Sequence, residues 1–190
     1  QCRFKDCIFF GCTIPDVMRQ ELSPDCILFP RLSVPFNMFR AKLYSAAELY
    51  AGYDYRFPDT FAQCYDTRIY RPYVSEGKLA GDIAETAARS LHDHSISDAL
   101  HDFLAGYDER SVVAVMGGHA LFRTDDMYRK VVLLSKHLAE NGCLMVTGGG
   151  PGAMEAAHLG AWLAGRDDNE VDVALAMLAS APSYKDCDWL

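Results

Sequence analysis

The sequence predicts an α/β fold in which a parallel β-sheet carries helices on both faces. Two apolar runs of strand length, residues 112–116 and 143–147, are each followed by a glycine-rich turn and a segment of helical composition. A continuous apolar run is typical of a parallel strand that is covered on both faces. Strands that alternate with helices in this way are typical of βαβ units with a right-handed connection.

Composition sets the broad class of protein. The chain has 190 residues, of which 50% are hydrophobic and 23% are charged, as in ordinary folded domains. A net charge of −8 argues against a general surface for nucleic acid or for an anionic membrane. No apolar run reaches the ~18 residues of a membrane span, and the N-terminus lacks a signal-peptide pattern. We therefore expect a cytoplasmic protein that binds neither nucleic acid nor membrane.

Residues 1–77 are predicted to form an N-terminal extension with its own short strands and helix. The Ser45-Ala46-Ala47-Glu48 stretch is a capping box, which marks the start of a helix that should run to about Gly52. The aromatic side chains further on lack a clean period and are expected to pack the extension onto the main domain. The predicted elements are, in order, strands within 7–12 and 26–29, the capped helix, and an irregular segment at 53–75.

Residues 78–190 are predicted to form the first part of a Rossmann-like domain. The segment between the two strands has apolar residues at helical spacing, which predicts a helix packed on the sheet. The other helices are read from composition and end signals. The predicted helices are 78–92, then 96–105 capped by Ser95, one capped by Thr124 with the apolar face Met127, Val131, Leu134 and Leu138, then 151–164 opened by Pro151, and 171–179.

Metal and cofactor sites receive little support from the sequence. The seven cysteines match no zinc or iron–sulfur spacing, so we expect reduced and mostly buried thiols. His94, Asp98 and His101 share one helical face, but three such residues without a fourth ligand are more often surface polar groups. We predict no metal and no cofactor.

The turn after the second strand has the features of an anion site. Gly148, Gly149 and Gly150 allow positive φ and close approach of another molecule to the backbone. The free N–H groups and dipole of the helix that follows favour a phosphate. The alternative, that the glycines only let strand and helix pack closely, stays open.

Two familiar nucleotide motifs fit this turn poorly. Gly148-x-Gly150-x-x-Ala153 has the spacing of a dinucleotide fingerprint, but NAD needs an acidic residue at the end of the next strand. Asp167 and Asp168 follow a helix end instead, so NAD is disfavoured. A P-loop is disfavoured because the chain has no Gly-Lys-Ser/Thr.

The glycine turns after the two strands should meet at one crevice, because open α/β sheets bind ligands at the carboxyl ends of their strands. Arg123 is the predicted clamp on the phosphate, since its guanidinium matches phosphate geometry. His119 is predicted either to donate to a phosphate or ribose oxygen or to cap its own turn. The predicted phosphate- and nucleotide-binding residues are Gly117, Gly118, His119, Arg123, Thr147, Gly148, Gly149, Gly150, Gly152, Ala153, Met154 and Glu155.

These motifs together resemble the front half of the Lonely Guy (LOG) family, Rossmann-like nucleotide-binding proteins once called lysine decarboxylases. The resemblance covers about residues 111–165. It implies a homodimer, a nucleoside 5′-monophosphate substrate, and metal-free hydrolysis of the N-glycosidic bond to free base and ribose 5-phosphate. The segments that carry it are Val115-Met116-Gly117-Gly118-His119, Arg123, Tyr128, and Thr147 to Ala157 with Gly160 and Ala161.

One departure from the family bears on catalysis. The family's second signature, Pro-Gly-Gly-x-Gly-Thr followed two residues later by a catalytic glutamate, is absent from this sequence, as is its upstream catalytic arginine region. The catalytic residues are therefore unassigned, and Glu155 is weighed as structural or ribose-contacting against catalytic. The alternatives to a hydrolase are a nucleotide-sensing module without turnover and, more weakly, a dinucleotide-dependent oxidoreductase.

The strand inventory predicts an incomplete sheet. A doubly wound sheet usually has four or more parallel strands, and only two are convincing here. The second strand would then expose an apolar edge that proteins normally cover. We expect this chain to be the front part of a larger domain, to be completed by another chain, or both.

Overall fold

Two parallel sheets of two strands each, one in each of two units, make this a mixed α/β protein. The computed structural model describes residues 4–186, and the units are Gln1–Asp102 and Phe103–Leu190. The division between the units falls within the last turn of one long helix, in which the two helices predicted after residue 77 are continuous.

The first unit pairs its two predicted strands in parallel. Ile8 lies opposite Ile27 and Phe10 opposite Phe29, and the Phe10 and Phe29 rings stack with centroids 5.1 Å apart. The elements of this unit are β1 (Ile8–Phe10), α1 (Asp16–Arg19), β2 (Ile27–Phe29), α2 (Ala46–Leu49), a 3₁₀ helix (Pro58–Gln63), α3 (Tyr65–Ser75) and α4 (Ile83–Leu104).

The second unit contains the predicted strand, turn, helix, strand, turn, helix order. Its strands are parallel, with Val112 opposite Leu144 and Val115 opposite Thr147. Residues 4–186 contribute no third strand to this sheet, so the pair stands as predicted, whereas a complete Rossmann-like sheet is not seen. The elements are a 3₁₀ turn (Glu109–Ser111), β3 (Val112–Val115), α5 (Asp126–Glu140), β4 (Leu144–Thr147), α6 (Ala153–Trp162) and α7 (Asp168–Leu178).

The capping box at the start of α2 is confirmed in both halves. The Glu48 amide donates to Ser45 Oγ over 3.2 Å, and the Ser45 amide donates to Glu48 Oε2 over 2.9 Å. The hydrogen bond from the Ser45 backbone, followed by one from Arg40, lowers the pKa of Glu48 to about 2. The helix itself ends at Leu49, before the predicted Gly52.

The prediction of an irregular segment at 53–75 is wrong, since α3 and the 3₁₀ helix occupy most of it. Tyr65, Ile69 and Tyr73 recur every four residues, a helical period that the surrounding aromatics obscured. Pro72 lies inside α3, near its end, where only one turn remains to be disrupted.

The predicted helix start at Ser95 is also wrong, because Ser95 lies inside the continuous helix α4. Polar residues in mid-helix are accommodated by bonds to the preceding turn. Ser90 Oγ donates to the Thr86 carbonyl over 2.9 Å and Ser97 Oγ to the Asp93 carbonyl over 2.8 Å.

Helices α5 and α6 pack closely and form the core of the second unit. A Cβ on Gly160 would lie 2.1 Å from the Val132 carbonyl oxygen, so only glycine permits this approach. Tyr128 and Val132 are fully buried, whereas Met127 and Leu134 of the predicted apolar face are 56% and 59% exposed. Two of the four predicted face residues are therefore exposed, whereas Val131 is partly buried and packs against the core. The buried core is Tyr128, Val132, Ala156, Leu163 and Val171.

Three helix starts differ slightly from prediction. Asp125 rather than Thr124 precedes α5, and its carboxylate accepts from the Phe122 amide over 2.9 Å. Gly152, at φ +71°, precedes α6, so Pro151 lies outside the helix it was expected to open. The predicted last helix is present, and Asp167 caps it by accepting from the Asn169 amide over 2.8 Å.

A buried lysine joins the end of α5 to the start of α7. Lys136 is 4% exposed, and its Nζ lies 2.8 Å from Glu140 Oε1 and 3.1 Å from Asp168 Oδ1. The hydrogen bond from Lys136, then that from the Gly165 amide, lowers the pKa of Glu140 to about 2. The hydrogen bond to Glu140 is also the main cause of a raised Lys136 pKa, so the pair stays ionised near neutral pH.

Five cysteines fall in the described part of the chain, and all five are free thiols. Cys64 alone among them is buried, so the expectation of mostly buried thiols is wrong for residues 4–186, while Cys2 and Cys187 lie outside them. No helix within residues 4–186 combines the length and apolar character needed to cross a membrane.

Candidate functional site

The two glycine turns, residues 117–118 and 148–152, meet at the carboxyl ends of β3 and β4. The Gly118 carbonyl accepts from the Ala153 amide over 3.2 Å. A Cβ on Gly152 would lie 2.1 Å from the Gly118 oxygen, and one on Gly118 would lie 2.6 Å from the Ala153 Cβ. Gly118 and Gly152 also have φ values of +69° and +71°, which side chains strain. The predicted convergence is confirmed, and we call this pair the joined glycine turns.

Thr147 ties the second turn to helix α6. Its Oγ1 accepts from the Gly149 amide over 3.0 Å and lies 3.1 Å from His158 Nε2. A hydroxyl that accepts one bond can still donate or accept another, so both neutral forms of His158 fit this contact. The second glycine turn is therefore linked through Thr147 to the second helical turn of α6.

The start of α6 leaves two amides available. The Ala156 amide bonds the Gly152 carbonyl over 2.9 Å, as the first intrahelical bond. The Met154 and Glu155 amides make no hydrogen bond to another residue within 4–186. Such unpaired N–H groups at a helix start attract an anion.

Two methionines lie over the glycines of this turn. A Cβ on Gly150 would lie 2.4 Å from Met154 Cε, and one on Gly148 would lie 3.1 Å from Met116 Cε. Met116 is 70% exposed. Methionine side chains are flexible, so a ligand that approaches the glycines displaces them at little cost.

Arg123, the predicted phosphate clamp, is held by Glu155 and by the chain after α7. Its side chain is 7% exposed, and its Nε donates to Glu155 Oε1 over 3.0 Å and to Oε2 over 3.2 Å. An Nη atom also contacts Oε1, and another donates to the Ala181 carbonyl over 3.1 Å. A guanidinium this deeply buried requires such a partner, because unpaired buried charge is costly. The structure thus brings two predicted site residues together as an ion pair.

Tyr128 lies beneath this ion pair. It is fully buried, and its hydroxyl makes no well-formed hydrogen bond to any residue in the described part of the chain. Burial, and then the negative charge of Glu155, raises the pKa of the Tyr128 phenol. The hydroxyl therefore stays protonated at neutral pH and keeps a hydrogen-bond donor in the core of this unit.

His119 follows the first glycine turn and is exposed. Its Cα would lie 3.2 Å from a Cβ placed on Gly152, so its backbone is part of the contact between the turns. Its imidazole forms no hydrogen bond with another residue of 4–186, so it does not cap its own turn there, and its role as a donor to a ligand stays a prediction.

A pocket of about 380 Å³ opens beside the second glycine turn. Its volume lies in the range of about 300–1,000 Å³ that small-molecule sites occupy. Predicted site residues Gly149, Gly150 and Glu155 line it. Its other four lining residues were not predicted, although the spacing of Glu155, His158 and Trp162 on one helix face was visible in the sequence. Those four, which complete what we call the turn pocket, are His158, Leu159, Trp162 and Leu178.

A larger cavity of about 850 Å³ lies within the first unit. On its wall, the Tyr44 hydroxyl is 3.0 Å from His92 Nε2, and His92 Nδ1 is 3.0 Å from Asp93 Oδ1. Burial raises the pKa of Tyr44 to about 12. None of the predicted site residues lies in this unit. Its aromatic side chains pack on one another, as the Tyr44 and Tyr65 rings do at 5.8 Å.

The polar face of α4 offers little to a metal. His94 Nε2 lies 3.5 Å from Asp98 Oδ2. Within residues 4–186, no three His, Cys, Asp or Glu side chains are grouped as a metal site requires.

Comparison of the chain with protein-family models, with curated proteins and with solved structures finds no match.

Proposed function

We propose that the Phe103–Leu190 unit binds a nucleoside 5′-monophosphate, with the phosphate at the joined glycine turns. The observation that carries the proposal is the contact between Gly118 and Gly152, which leaves no room for a Cβ at either residue. It fixes the start of α6 beside the turn pocket. The unpaired amides of Met154 and Glu155 then supply donors to a phosphate without any lysine or arginine.

The negative charge of the chain supports recognition by backbone groups. With a net charge of −8, the molecule as a whole does not attract phosphate, so an anion site must be local. Helix-terminal amides provide such a site, because their partial positive charge is fixed by the fold.

The resemblance to the LOG family extends the proposal to a reaction. Water would add to C1′ of the ribose as the C1′–N bond breaks, and the base would leave with a proton, giving free base and ribose 5-phosphate. Positive charge develops on the ribose ring in such reactions and is stabilised by a carboxylate. We propose turnover only for a protein that also carries the Pro-Gly-Gly-x-Gly-Thr signature and its glutamate.

The second candidate function is a nucleotide-sensing module without turnover. The Arg123–Glu155 ion pair favours it, because both oxygens of Glu155 already accept from the guanidinium. A carboxylate whose two oxygens are both engaged by a guanidinium stabilises a ribosyl cation less well than a free one.

We also propose a homodimer formed through α5. Met127 and Leu134 lie two turns apart on this helix and are 56% and 59% exposed. Exposed apolar side chains that line up along a helix are typical of an interaction surface. A second copy of the chain would cover them, as would a further segment of the same protein.

The binding proposal is tested with two matched glycine variants. Gly149 (φ +71°) lines the turn pocket and Gly142 (φ +82°) follows α5, and a Cβ on either would have no described atom within 4 Å. Each Ala variant therefore carries a similar strain of about 1–2 kcal/mol. Calorimetric titration with AMP should show binding to the unsubstituted chain and to Gly142→Ala, and binding weakened roughly 10-fold or more in Gly149→Ala.

Two results would count against the proposal. If AMP, GMP, CMP and UMP all fail to bind the unsubstituted chain at millimolar concentration, the site is not a nucleotide site. If both glycine variants lose affinity equally, the phosphate does not lie at the glycine turn. Chromatography for free base, run with a form of the protein that carries the Pro-Gly-Gly-x-Gly-Thr signature and its glutamate, then separates the hydrolase from the sensing module.

A further inference from the structure

The turn pocket extends along one face of α6, away from the glycine turn. Glu155, His158 and Trp162 are spaced three and four residues apart, so they lie on one side of the helix. All three line the pocket. Its polar groups stand at the start of the helix and its largest aromatic ring at the other end.

Trp162 is unusually exposed for its size. The residue is 67% exposed, and the Arg166 guanidinium carbon lies 4.7 Å from the ring centroid. Arg166 does not line the turn pocket, although the indole does. The ring therefore contacts a cation on one side while it borders the pocket, an arrangement that orients an aromatic platform.

The groups along α6 follow the same order as the phosphate, ribose and base of a nucleotide. Ala153 and Trp162 are nine residues apart, or about 13.5 Å along the helix axis. Helical aromatic side chains lean toward the N-terminus, which brings the indole back over the turn that holds His158. A phosphate at the first turn would thus place ribose beside Glu155 and His158, and the base at the indole.

We infer that Trp162 is the stacking platform for the nucleobase and that it gives the site a preference for purines. This inference rests on the proposed nucleotide-binding function. Stacking gains with the area of ring overlap, and a bicyclic purine covers the indole better than a pyrimidine does. The aliphatic side chains of Leu159 and Leu178 complete an apolar surround for the base.

The test compares ligands with and without a base. Trp162→Leu should weaken AMP binding roughly 5- to 150-fold, the range for loss of one base–aromatic stack. The same variant should bind ribose 5-phosphate as tightly as the unsubstituted chain. Trp162→Phe, which keeps a smaller ring, should fall between the two for AMP. Met177→Ala, at a residue 72% exposed on α7 and outside the pocket, is the control and should leave both affinities unchanged.

The purine preference gives a second measurement. The ratio of the CMP and AMP dissociation constants should exceed one for the unsubstituted chain and fall toward one in Trp162→Leu. The inference is overturned if Trp162→Leu weakens AMP and ribose 5-phosphate equally, if it changes neither, or if the ratio is unaltered. Failure of both ligands to bind the unsubstituted chain would instead remove the proposed function together with this inference.

Discussion

Arg123 and Glu155 were predicted as ligand-binding residues and are found bonded to each other. The Arg123 amide also donates to the Pro182 carbonyl over 2.9 Å, and its side chain reaches the Ala181 carbonyl. The pair thereby fastens the start of α6 to the segment after α7. Glu155 is therefore assigned a structural role, and the proposed phosphate site depends on it through the position of the helix start.

Replacing Glu155 by Gln separates this role from a catalytic one. The variant removes the charge opposite a guanidinium that is 7% exposed, and should lower the free energy of unfolding by about 1.5–3 kcal/mol, the range for a hydrogen bond to a charged group. Urea titration followed by circular dichroism measures this loss. Glu170→Gln is the matched control, since Glu170 pairs with Arg166 at 50% and 45% exposure and should change stability by under about 1 kcal/mol.

A variant that keeps its stability would contradict the structural assignment. If Glu155→Gln unfolds at the same urea concentration as the unsubstituted chain but releases no base where that chain does, Glu155 acts on the substrate.

At the scale of elements, the contact of α5 with α6 depends on Gly160. A Cβ there would meet the Val132 carbonyl at 2.1 Å and the Lys136 amide nitrogen at 2.9 Å, both of them rigid backbone atoms. Gly160→Ala would gain about 1 kcal/mol of helix propensity. Forcing the helices apart should cost more than this gain, since overpacking typically costs about 1–3 kcal/mol and more where backbone blocks relaxation.

The sign of the change in stability decides this prediction. We expect Gly160→Ala to lower the thermal midpoint and Gly160→Ser to lower it further, as measured by differential scanning calorimetry. An increase in the midpoint for the Ala variant, which an exposed mid-helix glycine would give, would mean that the two helices are not in backbone contact at this residue.

Element identity was predictable wherever a local signal decided it. The capping-box pattern of Ser45 and Glu48 predicts which two residues bond to each other, and both hydrogen bonds are present in the structure. The buried face of α5 was not predictable in this way. Met127 and Leu134 have the apolar character of core residues, yet the buried residues include Lys136, whose charge is matched by Glu140 and by Asp168 from a later helix. The pairing with Asp168, which lies on a different helix, leaves no periodic trace.

For the whole molecule, the features that depend on strand direction were predictable from the sequence. The joined glycine turns were expected because parallel strands end at the same edge of a sheet, and Gly118 and Gly152 do meet there. The continuity of α4 and the Arg123–Glu155 pair were missed, because the first depends on how far a helix runs and the second on which distant side chains meet. The two-stranded sheet of the second unit was predicted to be incomplete, and residues 4–186 supply no further strand to it.

The exposed Met127 and Leu134 side chains on α5 lead to a prediction about the oligomeric state. If a second copy covers Met127 and Leu134, light scattering at micromolar concentration should give twice the chain mass of 21.1 kDa. Met127→Glu combined with Leu134→Glu would bury unpaired carboxylates in that interface and should raise the dimer dissociation constant roughly 100-fold or more.

A charge on another exposed apolar residue controls for general effects of added carboxylate. Val173 is 61% exposed on α7, and Val173→Glu should leave the mass at the dimer value. A monomeric unsubstituted chain would overturn the proposal that a second copy covers this face. If Val173→Glu also dissociates the dimer, Val173 lies in the interface, because an added carboxylate weakens an interface only where it is buried there. The interface would then be on α7, or on both helices.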